Sequence, residues 1–348
     1  MAKMISLILA FALSPLLVAC TQTIISLDQT TFNQPTVGFA LTVDHIVASV
    51  RWNNVSTEDL VELKAPEEYI ELMRHFSHPS SQHPSPPYHS LKDIFDDWPR
   101  QAKRSMRKKL GLPASSEVGI IAKALKPVIE VAETYAGSPL SALISFPALP
   151  GLYQEDIADA ASYVGLAKLG PWLEASHPHE DVAAYAGNGL GLCKDYHNEE
   201  KCREEGRNLT SRHTLLVEHT ESALLLHRDI LRESIEISDP YMDLATSFDL
   251  GSGGEPDELD IQDFVLSFLY HQYYYPTPHP PDSITVMMTG SPESLSDGKA
   301  RRVTKRVIEA LGAKAEMLEE NPSFKAARGA AELAWRALKF SEGEVYRT

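Results

Sequence analysis

Residues 37–52 read VGFALTVDHIVASVRW, two apolar and largely β-branched runs parted by Thr42, Val43, Asp44 and His45. Such runs, split by one short polar break, predict two strands joined as a hairpin. HTLLVEHTESALLLHRDIL, residues 213–231, repeats the layout with its polar centre at Glu218 to Ser222. After the first hairpin, apolar residues between Ile120 and Ala132 recur every three or four positions, which predicts an amphipathic helix ended by Gly137. The short apolar run SALISFP (141–147) predicts a buried strand, and YQEDIADAASYVGL (153–166) another helix. KLGPWLEA predicts a further strand and EDVAAYAGNGL a further helix. After the second hairpin come a helix over 259–274, a strand SITVMMTG (283–290), and two closing helices in KARRVTKRVIEALG and FKAARGAAELAWRAL. A hairpin followed by alternating helices and strands thus occurs twice. The expected fold is α/β with two related lobes, 36–190 and 212–341, joined by a loop over 191–211, and the cleft between them is the default site.

With 348 residues, 43% of them hydrophobic, the chain can bury two such lobes. A formal net charge of −16, from 48 acidic against 32 basic residues, argues against nucleic acid as a partner, because phosphate binding needs clustered Lys and Arg. MAKMISLILAFALSPLLVAC, residues 1–20, predicts a cleaved secretory signal peptide and hence a secreted product. Leu17-Val18-Ala19-Cys20 also fits a lipoprotein signal, which would anchor the chain through a lipidated Cys20. No later run is long enough for a transmembrane span. Cys193 and Cys202 remain as an even pair, expected as a disulfide in an oxidising compartment. Asn54-Val55-Ser56 and Asn208-Leu209-Thr210 are N-glycosylation sequons in keeping with that address, whereas proline excludes Asn321-Pro322-Ser323.

Other groupings invite chemistry and read more simply as structure. His75, His78, His83 and His89 lie in a proline- and serine-rich stretch that predicts a surface loop, with no repeat to converge them on a metal. His177-Pro178-His179-Glu180-Asp181 has a metal-like composition, but the proline between the histidines favours a polar helix start. QAKRSMRKKL predicts a basic helix surface that balances nearby acids. FDLGSGGEPDE (248–258) lacks the lysine and hydroxyl pair of a phosphate loop and reads as a flexible acidic turn. No GxSxG elbow presents a serine nucleophile. The tyrosines of YHQYYYPTPHPP (270–281) are expected to pack on the adjacent lobe; exposed, they would suit a protein or glycan partner.

IAKALKPVIEVAETYAGSPLSALISFPALPGLYQEDIADAASYVGL, residues 121–166, is similar to the helix, strand, proline and helix passage of the nucleotide-binding domain of seventy-kilodalton heat-shock chaperones. SITVMMTG followed by FKAARGAAELA resembles that fold's adenosine-side strand and last helix, and ARGAAELA resembles the divergent actin-like ATPase-domain proteins of filamentous fungi. The resemblance runs in order from about Val37 to Leu338. It implies a two-lobed actin-like fold of ribonuclease H-like repeats, here with a trimmed second lobe, since little chain separates the glycine-rich segment from SITVMMTG.

In that superfamily the first hairpin carries an acid that positions magnesium waters, and a glycine that lets backbone approach phosphate. The matching positions run from Gly38 to Asp44: Ala40 stands at the acid and Thr42, with its β-carbon, at the glycine. Asp44, without a metal beside it, would repel a triphosphate. In the second hairpin Glu218 keeps an acid, but Thr220 and its neighbours replace the glycines and Glu221 adds a carboxylate. The remaining phosphate-side positions are Gly253 and Gly254 in the acidic turn, and Thr289, Gly290 and Ser291 after the adenosine-side strand. The resemblance therefore implies a pseudo-ATPase with no catalytic residue, no metal and no cofactor, acting as a binding or scaffold protein for a protein or glycan partner. The alternative is a weak magnesium-dependent ATP binder or ATPase using Asp44, Glu218 and Asp249.

Overall fold

The computed structural model describes residues 34–166, 169, 177–196, 198–234, 244–255, 257–274 and 281–345. The leader 1–20, all of KLGPWLEA but Leu169, and much of the tyrosine–proline segment lie outside the described residues. Two mixed β-sheets and a set of helices make up a mixed α/β protein, and Gln34–Thr348 forms one compact unit.

The first sheet has the order β3-β2-β1-β4, from β1 (Thr36–Leu41), β2 (His45–Arg51), β3 (Thr57–Lys64) and β4 (Ser141–Ser145). β1, β2 and β3 form an antiparallel meander, and β4 joins β1 in parallel. The second sheet has the order β7-β6-β5-β8-β9, from β5 (Arg212–His219), β6 (Leu224–Leu231), β7 (Leu244–Ser247), β8 (Ser283–Gly290) and β9 (Lys314–Leu318). It too opens with an antiparallel meander, followed by β8 parallel to β5 and β9 parallel to β8. Both sheets thus place their third, second, first and fourth strands side by side in that order.

Between β3 and β4 come α1 (Glu67–Phe76), α2 (Leu91–Lys109) and α3 (Ser116–Ala136), and after β4 come α4 (Gln154–Tyr163), α5 (Glu180–Gly187) and α6 (Glu199–Asn208). The second half adds α7 (Glu258–Tyr274), α8 (Pro292–Ser296), α9 (Lys299–Leu311) and α10 (Lys325–Val345). α3 starts where the Ser115 hydroxyl accepts the Val118 N–H at 3.1 Å, and stops at Gly137, whose φ of 83° suits glycine. Its buried face, Ile121, Leu125 and Val128, packs on Phe39, Leu41 and Ile46 of the first sheet. α7 and α9 cover the second sheet likewise, with Ile261, Phe268 and Val303 on Leu215, Val217 and Leu226. Each such side chain contributes about 1.5–3 kcal/mol when fully buried.

α10 follows the second sheet in the chain and yet packs on β1, β2 and β4 of the first. Small residues let it do so. A β-carbon on Gly38 would stand 1.9 Å from the Ala327 carbonyl oxygen, and one on Gly329 only 1.8 Å from that of Ala183 on α5. α5 also covers the second sheet, where Val182, Ala184 and Tyr185 meet Leu216, Leu231 and Met287. The α5–α10 crossing is therefore where the two sheets are coupled.

Cys193 and Cys202 are buried and disulfide-bonded, with Cα atoms 5.2 Å apart. Their loop is held on α10: Arg336 donates to the Cys193 carbonyl and lies 4.7 Å above the Tyr196 ring, whose hydroxyl meets Trp335 Nε1 at 3.3 Å. Among the described residues no helix is long and apolar enough to cross a membrane, and the disulfide fits a secreted protein. Asn54, in the β2–β3 turn, and Asn208, at the end of α6, are both exposed. The basic side of α2 meets acids as expected: Arg104 pairs with Asp156 and Asp159, and Arg100 with Asp97 and Glu155.

Candidate functional site

The turns of the two leading hairpins meet. In the first, Thr42 N–H donates to the His45 carbonyl at 3.0 Å, and the Thr42 hydroxyl accepts the His45 N–H at 3.0 Å. The second repeats this bonding: Thr220 N–H donates to the Ala223 carbonyl at 3.0 Å, and the Thr220 hydroxyl accepts the Ala223 N–H at 3.2 Å. Threonine thus closes each turn through its hydroxyl where a bare glycine would leave the amides open. Thr42, Asp44, Glu218 and Thr220 are all buried, so the turns form part of an interior.

A carboxylate from each hairpin then takes a backbone amide of the other. Glu218 Oε1 accepts the Val43 N–H at 3.0 Å, and Asp44 Oδ2 accepts the Ser222 N–H at 2.8 Å. Backbone amides at a turn can serve as anion donors. Here each of the two is taken by a carboxyl oxygen of the protein itself. The other Asp44 oxygen lies 2.8 Å from His45 Nδ1. Tyr69, from α1, donates to the Thr42 carbonyl at 2.7 Å and closes the cluster from beneath.

The two carboxyl groups are shifted in opposite directions. Burial pushes the Glu218 carboxyl well up, and the neighbouring Glu180, at the start of α5, pushes it further. Burial would also raise Asp44, but the hydrogen bond and charge of His45, with the Ser222 amide, hold it below its ordinary value. Tyr69 is raised well above the usual phenol range by burial and by Glu218 and Asp44.

The other expected positions surround this pair. Thr289 stands opposite Glu218 in the β5–β8 register, and Gly290 stands opposite His219 with a φ of 112°. A β-carbon on Gly290 would meet the His219 carbonyl oxygen at 2.0 Å, so glycine is needed for strand approach. Ser291 caps α8 by accepting the Ser294 N–H at 3.1 Å. The glycine-rich segment is bonded to the second hairpin: Ser252 N–H donates to the Thr220 carbonyl at 2.9 Å and Gly253 N–H to that of Glu221 at 3.0 Å. Lys299 ties its other side through the Gly251 and Gly254 carbonyls. Gly38 lies apart from the turns, against α10.

Above the turns opens a cleft of about 520 Å³ between Lys64, Glu67, Ile70 and Arg74 on one side and Glu221, Ser222, Phe248, Asp249, Gly253, Gly254, Glu255 and Asp260 on the other. Five of these residues are carboxylates and two are cations. Arg74 is engaged over the Phe248 ring at 4.6 Å and Lys64 pairs with Glu221 at 2.6 Å. A polyanion entering here meets net negative charge.

The sequence offers Glu180 and Asp181 only as the polar start of a helix; it does not join Glu180 to Glu218, nor Asp181 to His227 and Asp229, with which it forms a second, largely buried group. The His177–Asp181 segment is the polar helix start expected, leading into α5, but its Glu180 and Asp181 are buried. His177 Nδ1 accepts the Ile144 N–H at 3.0 Å, and burial lowers its pKa to about 4. His179 forms a parallel bridge to Phe146 and packs on its ring at 4.4 Å. The signal for these residues is topological: a strand end beside β4 leads directly into α5, which delivers Glu180 and Asp181 to the junction of the sheets. No protein-family model matches the chain, and no curated protein matches it in sequence.

Proposed function

We propose that this chain is a secreted, two-lobed pseudo-ATPase of actin-like, ribonuclease H-like type that serves as a binding or scaffold protein. The observation that carries the proposal is the exchange of carboxylates between the hairpins, which fills the anion-accepting amides of Val43 and Ser222. The equal strand order of the two sheets and the coupling of α5 with α10 support two related lobes. The segment between β7 and β8 contributes α7 alone among the described residues, in keeping with a trimmed second lobe.

A role in binding is supported by α2, whose Leu91, Phe95, Trp98, Met106 and Leu110 are each 64–74% exposed. Spacings of four, three, eight and four residues put them along one side of the helix and its C-cap Leu110, with Lys103 and Lys109 exposed beside them. The partner such a surface fits is a protein with an apolar ridge and acidic rim.

Titration of MgATP into the purified chain, followed by calorimetry and thermal melting, tests the reading. The expected result is no saturable heat and no rise in melting temperature. The alternative, ATP held with magnesium by Asp44, Glu218 and Asp249, requires a saturable stabilisation that Asp44→Ala or Glu218→Ala abolishes. That result would overturn the pseudo-ATPase proposal.

A further inference from the structure

β6 turns alternate side chains to alternate faces, so His227, Asp229 and Leu231 share one face, and Leu231 packs with α5. Asp181, in the first turn of α5, faces His227 across this junction. One ligand atom from each of Asp181, His227 and Asp229 lies within 4.8 Å of the other two. Asp181 is 1% exposed, and neither of its carboxylate oxygens has a hydrogen-bond partner. One oxygen of Asp229 accepts the Ile230 N–H at 2.6 Å, while the other makes no hydrogen bond.

A carboxylate buried without donors is strongly unfavourable, and a second one beside it worsens the balance unless a cation enters. The spacing fits such an ion. Around a tetrahedral centre with bonds of about 2.0–2.1 Å, neighbouring ligand atoms stand about 3.4 Å apart. His227 Nδ1 and Asp181 Oδ2 stand 3.5 Å apart. We propose that Asp181, His227 and Asp229 bind one divalent transition-metal ion, with zinc as the best match, and so tie α5 to strand β6.

The donor set selects among ions. An imidazole with two carboxylates suits zinc, whereas magnesium requires a near-octahedral shell of oxygens and keeps its waters. His179 stands beside the group, close enough for Asp181 and His227 both to act on it electrostatically, and its own Nδ1 has no hydrogen-bond partner. Because His179 bridges to Phe146, the residue after β4, while His227 and Asp229 lie on β6, the ion sits where segments beside both sheets converge. This inference concerns a different set of residues from the hairpin turns and does not rest on the proposed loss of ATP binding.

The test uses the full chain stripped with chelator, then titrated with zinc chloride or magnesium chloride in a calorimeter, with circular dichroism to establish folding. One zinc ion per chain is expected, with a raised melting temperature and no heat from magnesium. Asp181→Asn and His227→Gln should abolish binding, and Asp229→Asn, at the half-exposed edge, should weaken it by more than about tenfold. The double variant His78→Ala with His83→Ala controls for the histidine-rich loop and should bind as the parent does. Absence of zinc uptake by the folded parent, unchanged binding in folded Asp181→Asn or His227→Gln, or loss of binding in the loop variant would overturn the site. Should the two buried variants fail to fold, Asp229→Asn decides, and parent-like affinity there overturns it too.

Discussion

The hairpins β1–β2 and β5–β6 close through the same threonine bonds and exchange one carboxyl group each, but the two carboxyls are shifted in opposite directions. Burial raises both; at Glu218 the neighbouring Glu180 adds to it, whereas at Asp44 the hydrogen bond and charge of His45, with the Ser222 amide, outweigh it. Equal hydrogen bonding to backbone therefore does not fix the direction. Burial and the next neighbour do, a histidine in one case and a second carboxyl in the other.

The largest effect expected from breaking this pairing comes at Asp44. Asp44→Ala leaves the buried Ser222 amide without an acceptor and His45 without its carboxylate, and should cost about 3 kcal/mol in chemical denaturation. Asp44→Asn keeps an acceptor and loses the charge, and should cost about half as much. Glu218→Gln, by contrast, puts a neutral group of the same shape where burial and Glu180 already disfavour charge, and it still accepts from Val43, so its cost should stay below about 1 kcal/mol. Equal costs for Asp44→Asn and Glu218→Gln would remove the asymmetry on which the comparison rests.

Stability measured against pH separates the two more sharply. Glu218 has a folded pKa above its unfolded value, so its contribution is fully present below the unfolded pKa and is lost as pH rises through the folded one. Asp44 has a depressed folded pKa, so its contribution is present above its unfolded pKa and is lost as pH falls through the folded one. The parent should lose the Glu218 contribution as pH rises from the ordinary carboxyl range through the raised folded pKa, and Glu218→Gln should flatten that decline while leaving the acid limb in place. Asp44→Asn should do the reverse, weakening the acid limb alone. Melting temperatures taken across the pH range check both signs.

Much of this arrangement was legible in the chain. α3 and α9 follow from periodic apolar residues and from stops such as Gly137, because those helices have one face in a core. β4, β8 and the two hairpins follow from continuous apolar runs, because both faces of those strands are largely buried. β3 and β9, TEDLVELK and KAEML, were not, since as exposed edges they carry charges where a buried strand would carry apolar side chains. The acidic turn at 248–258 was read as flexible, yet its amides are bonded to the second hairpin, which no local pattern announces. Glu180 and Asp181 looked like the polar start of a helix, and they are that; their buried partners Glu218 and His227 lie on strands far along the chain. Parallel topology brings them together, and a single sequence does not encode it locally.

The smallest effect belongs to the rim. Lys64 and Glu221 reach across from β3 to the tip of the second hairpin at 2.6 Å, but both side chains are more than 60% exposed. Water screens such a pair and side-chain entropy offsets it, although it raises the Lys64 pKa through the Glu221 hydrogen bond. Lys64→Ala should leave denaturation midpoints unchanged within error, at low salt as at high. If it instead matched the loss from Asp44→Ala, the two hairpins would be held together at their rim, and the buried exchange of carboxyl groups would be a consequence of that contact. If it is silent, as expected, closure originates in the interior, where Asp44 and Glu218 each occupy the amide that the opposite hairpin would otherwise offer to an anion.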